Sequence, residues 1–305
     1  MRGISLSTMW AVGRYERMAD FVAAAHRMGF GGIELNYQLT PPMLAEIIEL
    51  WEEGKVRVSS IHDPCPTLTQ SLRHSPQLSA LDRDERKAAV ALAKASIELA
   101  SRLGAEAIIL HLGRVGIARQ LESALRDLYN QGKKGTAAYE EAKARLIAAR
   151  AKRCEANLAA VMESLEELVP YAAARGVKLG LESRYYYREI PLLDEAQFIL
   201  DRFDSPVLLY WHDVGHAQNL ENLGFTRHED WLVALSHRLL GVHLHDIVGL
   251  NDHQAVGKGE VDFAMVGSYL PEGAIMVCEF EQHNSAVEVE AGLMRLEKLG
   301  FFRIE

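Results

Sequence analysis

The stretch GVKLGLES, residues 176–183, holds in eight letters the unit from which this chain is built. Gly176 ends a helical pattern that runs over Cys154–Arg175. Val177–Glu182 then reads as a short strand, and it stops on a carboxylate. A helix that halts at glycine, followed by a nearly apolar run of strand length, marks a strand buried on both faces. Such strands belong to parallel sheets covered by helices.

Working outward, the same sentence recurs. Upstream, Gly3–Ser7 reads as a strand, and the amphipathic Tyr15–Met28 stops at Gly29. Gly32–Asn36 is the second strand, followed by a helix over Pro42–Glu53 with proline in its first turn. Val56–His62 is the third strand. The alanine-rich Asp84–Leu103 ends at Gly104 before the fourth strand, Ala107–His111. Downstream, helix Asp194–Arg202 leads to strand Val207–Trp211, and helix Asp230–Leu235 leads to strand Leu240–His245. Helix Asp262–Tyr269 precedes strand Ala274–Phe280, and Ala286–Leu299 closes the chain. Eight strand–helix units predict an α/β fold, a (β/α)8 TIM barrel spanning 1–305 as a single domain. An open doubly wound sheet would place a glycine-rich phosphate loop after the first strand, and SLSTMWAVG is not one. Residues 114–150 break the rhythm: they are charged and helix-prone, with Glu141 and Arg145 at i,i+4 spacing. They read as a helical excursion after strand four, serving as a lid over the rim or as a homo-oligomer contact.

Composition narrows the function classes. Apolar residues make up 49% of the chain, which is ample for a large core, yet no run of about 18 apolar residues suggests a membrane span. The N-terminal MRGISLSTMW reads without a cleavable signal. Cys65, Cys154 and Cys278 are far apart and odd in number, so a reducing, cytoplasmic setting is expected. A net charge of -9 gives no general attraction to nucleic acid.

In a barrel of this kind, function gathers where strands end. Those ends carry Glu34 and Asn36, His62 and Asp63, His111, Glu182, Asp213 and His216, then His243, His245 and Asp246, and finally Glu279 and Glu281. Unpaired carboxylates crowded on one rim would repel, and burial would raise their pKa values. A dication resolves that conflict, so a metal site centred on Glu182, Asp213, His243 and Glu279 is expected. Mixed imidazole and carboxylate donors suit zinc, manganese, iron or cobalt.

The pieces IHDP, ILHLG, LGLES, HDVGH, GVHLHD, VGKGEVDF and CEFE occur in that order. On them the chain resembles the xylose isomerase-like barrel superfamily, in its sugar phosphate isomerase/epimerase group, to which endonuclease IV is related. The resemblance covers nearly all of the chain apart from 114–150. It implies one divalent ion, zinc or manganese, on Glu182, Asp213, His243 and Glu279. Glu182 and Glu279 would also exchange a substrate proton, and His216 would contact substrate hydroxyls. Endonuclease IV uses more ligands, and His62, His111, His216 and His253 fall at matching points, which implies up to three ions. Asn251 stands where that enzyme has aspartate, so the third ion is the weakest part of the match.

Two chemistries follow from the resemblance. The first is isomerisation or epimerisation of a sugar or sugar phosphate, by proton transfer through a metal-stabilised enediolate. The second is zinc-dependent phosphodiester hydrolysis on abasic DNA, which needs basic residues for phosphates. Arg114, Arg119, Arg184 and Arg188 stand near the rim but are interspersed with acids. A third reading is a sugar-binding barrel without catalysis. Arg184, Lys258 in Gly257–Lys258–Gly259, and Trp10 after strand one are further substrate contacts expected here, with Tyr185–Tyr187 as aromatic walls.

Overall fold

Strand β1 (Ser5–Ser7), β2 (Gly32–Leu35), β3 (Val58–His62) and β4 (Ala107–Leu110) form one half of a closed parallel barrel. Strands β5 (Lys178–Glu182), β6 (Leu208–Asp213), β7 (Leu239–Leu244) and β8 (Ile275–Cys278) complete it, each paired with its chain neighbours and β8 with β1. The computed structural model describes residues 3–66 and 75–302. The expected (β/α)8 barrel is the fold observed.

Period-two alternation decides what lies inside. Ala107, Ile109, Trp211, Leu240, Ile275 and Val277 pack together as a plug in the barrel interior. Gly241 leaves room for the plug: a Cβ there would lie 2.4 Å from the Trp211 ring. Two residues beyond Gly180, Trp211, Gly241 and Val277 come Glu182, Asp213, His243 and Glu279, all buried. The same alternation that points the plug inward therefore points these four side chains into the mouth above it. Cross-strand register sets Glu182 beside Trp211 and Asp213 beside His243.

The larger core lies between sheet and helices, where Phe21, Ile47, Ile97, Val161, Leu200 and Trp231 are buried. Helices α1 (Met18–Met28), α2 (Pro41–Glu52) and α3 (Arg83–Leu103) precede the excursion. Gly29 and Gly104 end α1 and α3 in the left-handed conformation, at φ 100 and 65, as their positions in the pattern predict. The excursion consists of α4 (Arg119–Asn130) and α5 (Ala137–Ala151), and then comes α6 (Cys154–Ala173). Leu125, Tyr139, Ala142 and Leu146 of the excursion pack on Leu223 and Leu250, so it has a small core of its own. Helices α7 (Leu193–Phe203), α8 (Val214–Asn222), α9 (His228–Leu235), α10 (Phe263–Tyr269) and α11 (Ala286–Lys298) follow.

Some boundaries differ from expectation. Strand β6 continues through His212 to Asp213 because barrel pairing, which local polarity does not report, carries it on. Helix α8 was not foreseen; it starts directly on Asp213, whose Oδ1 accepts from His216 N at 2.8 Å as an N-cap. Two short antiparallel ribbons decorate the rim: Gly113–Arg114 with Glu189–Ile190, and Asp246–Val248 with Asn251–Gln254. Among the described residues no helix is long and apolar enough to cross a membrane.

Candidate functional site

His243 stands at the centre of the mouth. Its Nδ1 lies 2.8 Å from Glu182 Oε1, 3.3 Å from Glu279 Oε2 and 3.6 Å from Asp213 Oδ2. Its Nε2 faces Glu34 Oε1 at 3.1 Å. Burial alone would lower the His243 pKa, but the Glu279 and Glu34 carboxylates outweigh it and hold the imidazole well above its ordinary value. The carboxylates respond in kind. Burial opposes the Glu182 charge, yet His111 and Arg184 keep it well below the usual carboxylate range. His216 and His245 do the same for Asp213, and His243 and His253 for Glu279. Glu34 goes the other way: burial pushes it up despite His243.

The expected four ligands are thus gathered, and they are shared among overlapping clusters of donors. Glu182, His243 and Glu279 group with His62, while Asp213 and Glu279 group with His245 and His253. Asp213 and Glu182 also group with His216, and His216 and His253 with Asp252. Within each cluster the donor atoms lie within 4.8 Å of one another. His111 Nε2 is 2.8 Å from Glu182 Oε2 but has no hydrogen bond of acceptable geometry, and buried His62 Nδ1 has no partner either. One imidazole N–H cannot satisfy three carboxylates. Buried carboxylates held ionised, with imidazole nitrogens converging on them, are a donor set that fits a divalent ion.

The mouth opens into a cleft of about 780 Å³, within the range of small-molecule sites. His62, His111, Arg184, His216, His253 and Glu279 line its inner part. Tyr185, Tyr186, Arg114, Arg119, Arg188 and Glu189 line its outer part. Arg184 reaches the cleft already engaged: Nη1 pairs with Glu182 and Nη2 lies 3.6 Å from Glu189 Oε2.

Two expected substrate contacts lie outside the cleft lining. Trp10 is fully buried against Tyr15 and Phe21, its Nε1 donates to the Asn284 carbonyl at 2.8 Å, and it does not line the cleft. Lys258 sits outside the cleft and pairs with Glu288 at 2.7 Å. A glycine-flanked lysine and a tryptophan after a strand carry no information about which way the side chain turns.

Sequence reasoning left out three contributors. Glu34 and His245 stood among the strand-end residues without a role. Glu34 accepts from Ser60 Oγ at 2.7 Å and faces His243, and His245 Nε2 lies 3.0 Å from Asp213 Oδ1. Their signal was the inward period-two position they share with the expected ligands. The third contributor is the excursion. Glu122 accepts from Tyr187 N, Arg126 bonds Tyr185 Oη and Asn219 Oδ1, and Arg150 Nη2 donates to the Glu189 carbonyl. All three hold the loop 184–190 that walls the cleft, so α4 and α5 brace that loop from outside.

Comparison with known structures agrees with the fold. A D-tagatose 3-epimerase-like protein superposes with TM-score 0.68 at 19% identity, covering 97% of this chain and 96% of that one. A 3-keto-D-glucoside 4-epimerase from E. coli gives 0.68 at 15%, covering 98% and 100%. A D-allulose 3-epimerase from Methylomonas sp. gives 0.66 at 18%, covering 98% and 99%. At such identities the likeness concerns the fold alone. No curated protein matches the sequence. The model of the family described as xylose isomerase-like TIM barrel matches residues 22–299, and the protein belongs to that family.

Proposed function

We propose that the protein is a divalent-metal-dependent isomerase or epimerase of a sugar or sugar derivative. One observation carries this reading: the buried, ionised Glu182 and Glu279 approach the same His243 nitrogen from β5 and from the end of β8, at 2.8 and 3.3 Å. Two carboxylates that approach one point from different strands support a reading in which two bases share a proton transfer at one carbon. Glu182, Asp213, His243 and Glu279 would hold the ion, which when bound supplies Lewis-acid polarisation of a carbonyl. One glutamate then takes the proton from the carbon beside that carbonyl, and the other returns it. Arg184 keeps Glu182 ionised and fixed, and Asn36 Nδ2 donates to Glu279 Oε1 at 3.2 Å, so each base has its own orienting partner. His216 is held by its Nδ1 against the Ser183 carbonyl at 2.9 Å, and its Nε2, 3.7 Å from Asp252 Oδ2, is the nitrogen that would meet a substrate hydroxyl. The three structural neighbours described above, two sugar epimerases and a D-tagatose 3-epimerase-like protein, support the same reading.

A second reading, zinc-dependent phosphodiester hydrolysis, draws support from the several overlapping donor clusters around Glu182, Asp213 and Glu279. One experiment separates the two. Metal-reconstituted protein is incubated in D2O with a panel of ketoses and, separately, with duplex DNA carrying an abasic site. Deuterium at a carbon adjacent to the carbonyl, without DNA nicking, is the expected result. Nicking without label would replace the first reading by the second.

A further inference from the structure

We propose that the outer cleft is an anion subsite in which Arg114, with Arg188 beside it, grips the phosphate or carboxylate group of an acidic sugar. The proposal deepens the sugar reading given above and rests on it for the identity of the rest of the molecule.

Arg114 is anchored where it stands. Its N–H donates to Ser79 Oγ at 2.9 Å, its carbonyl accepts from the same hydroxyl at 3.0 Å, and the ribbon pairs it with Glu189. The guanidinium belongs to the cleft wall and, among the described residues, its partner is neutral. With its amide oxygen turned inward, Gln77 accepts from Nη1 at 3.0 Å and Nη2 at 3.2 Å. Among the described residues Arg114 makes no ion pair. Two acids favour its charge, Glu189 and Glu85, and neither is within ion-pair distance; Glu189 accepts from Tyr186 N at 3.1 Å and pairs with Arg184. Arg188, 9% exposed, lies close enough to Arg114 to disfavour its charge, after burial the largest influence on it. Arg188 is itself placed by Glu122 and by stacking over Tyr186 at 4.5 Å.

Arg114 and Arg188 line the same cleft from segments joined by the hydrogen bond from Val115 N to the Arg188 carbonyl at 2.8 Å, and with one of them lacking a carboxylate they present the converse of the inner mouth. There, acids gather as they do around a cation; here, cations gather as they do around an anion. The forked donors of arginine match the oxygens of phosphate or carboxylate in pairs. Two other acids on the wall are paired with histidines rather than with these arginines: Asp252 lies 3.3 Å from His253, and Glu281 lies 3.2 Å from His283. The cleft is therefore bipolar, and a ligand with a carbonyl at one end and an anion at the other satisfies both ends.

The test compares wild type with Arg114→Met and Arg114→Lys, all metal-loaded and checked for metal content and thermal unfolding. Deuterium wash-in is measured for matched ketose and ketose-phosphate pairs, and inorganic phosphate is titrated as a competitor and by calorimetry. Expected is a KM for the phosphate ester that rises roughly 10- to 100-fold in Arg114→Met, with partial rescue in Arg114→Lys. The KM of the neutral ketose and the metal content should stay unchanged, because any phosphate held at the metal is common to all three proteins. An equal KM for the ester in wild type and Arg114→Met, or an equal loss for neutral and charged sugars, overturns the subsite and leaves the isomerase reading intact. No wash-in for any sugar, with phosphate binding still weakened in Arg114→Met, upholds the subsite and overturns the isomerase reading.

Discussion

Glu122 on α4 accepts from Arg188 Nη1 at 3.0 Å through Oε2 and from Tyr187 N at 2.5 Å through Oε1. The carboxylate is 1% exposed and the arginine, which also lines the cleft, 9%, so this pair ties the excursion to the cleft wall with its carboxylate shielded from water. Removing one partner of a buried pair costs far more than the pair contributes, because the other charge stays behind. Glu122→Ala is therefore expected to lower unfolding free energy by about 3 kcal/mol, and Glu122→Ala with Arg188→Met by distinctly less. Urea unfolding measured near pH 8 reads this cleanly, since burial pushes the Glu122 carboxyl up to about 7. A single-variant cost below about 0.5 kcal/mol would mean that the excursion does not brace the wall.

Gly215 makes a second relationship testable. A Cβ at this position would lie 2.1 Å from the His245 ring, closer than any side chain tolerates. The His245 imidazole has little room to retreat, because Nε2 faces Asp213 and Nδ1 accepts from His253 N at 2.9 Å. Gly215→Ala is expected to cost about 1–3 kcal/mol and to weaken metal retention by pulling His245 off Asp213. Metal content after dialysis, alongside the unfolding curve, checks both parts. Wild-type metal retention in a folded variant would show that His245 does not support the site.

Much of the architecture was legible because strands buried on both faces leave an apolar run and glycine leaves a visible stop. Glu182, Asp213, His243 and Glu279 were legible for a related reason: each follows an inward-facing strand position by two residues. What surrounds them was not. Glu34 meets His243 only because the barrel closes, and 209 residues separate them in the chain. Trp10 and Lys258 lie off the cleft lining because side-chain direction after a strand end depends on partners such as Asn284 and Glu288. The excursion could be read as helical from its own residues, but its attachment to loop 184–190 depends on Glu122, Arg126 and Arg150, three ordinary helix-surface residue types.

The two glutamates of the proposed chemistry give a kinetic prediction. Glu182→Gln and Glu279→Gln keep shape but remove the base, so each is expected to slow deuterium wash-in by about 10²–10⁴-fold. Thermal stability is expected to differ between them. Glu182→Gln deprives buried Arg184 and His111 of their shared anion, whereas Glu279 faces the more open side near His253. A variant of either residue that retains full exchange and full metal content contradicts its role as a base.

The last prediction concerns acid stability and lies away from the cleft. Tyr210 Oη, His212 and His228 form a buried chain: Tyr210 Oη is 2.7 Å from His212 Nδ1, and the two Nε2 atoms are 2.9 Å apart. Gln218 Oε1 lies 3.1 Å from His228 Nδ1 and accepts its proton, which orients the whole chain. His228 Nε2 then accepts from His212 Nε2–H, and His212 Nδ1 accepts from Tyr210 O–H, so both rings are neutral. Burial lowers the His228 pKa from 6.5 to about 4. The unfolded chain thus binds a proton that the native chain refuses over that interval. Stability is fully present above 6.5 and is lost as pH falls toward 4. The difference, 6.5 - 4 = 2.5 units, corresponds to about 3 kcal/mol. Other groups titrate in the same range, so the informative quantity is the gap in unfolding free energy between wild type and His228→Gln. That gap is expected to shift against the wild type by this amount between pH 7 and 4. If the two curves run parallel throughout, His228 is not the buried neutral base that the chain's geometry requires.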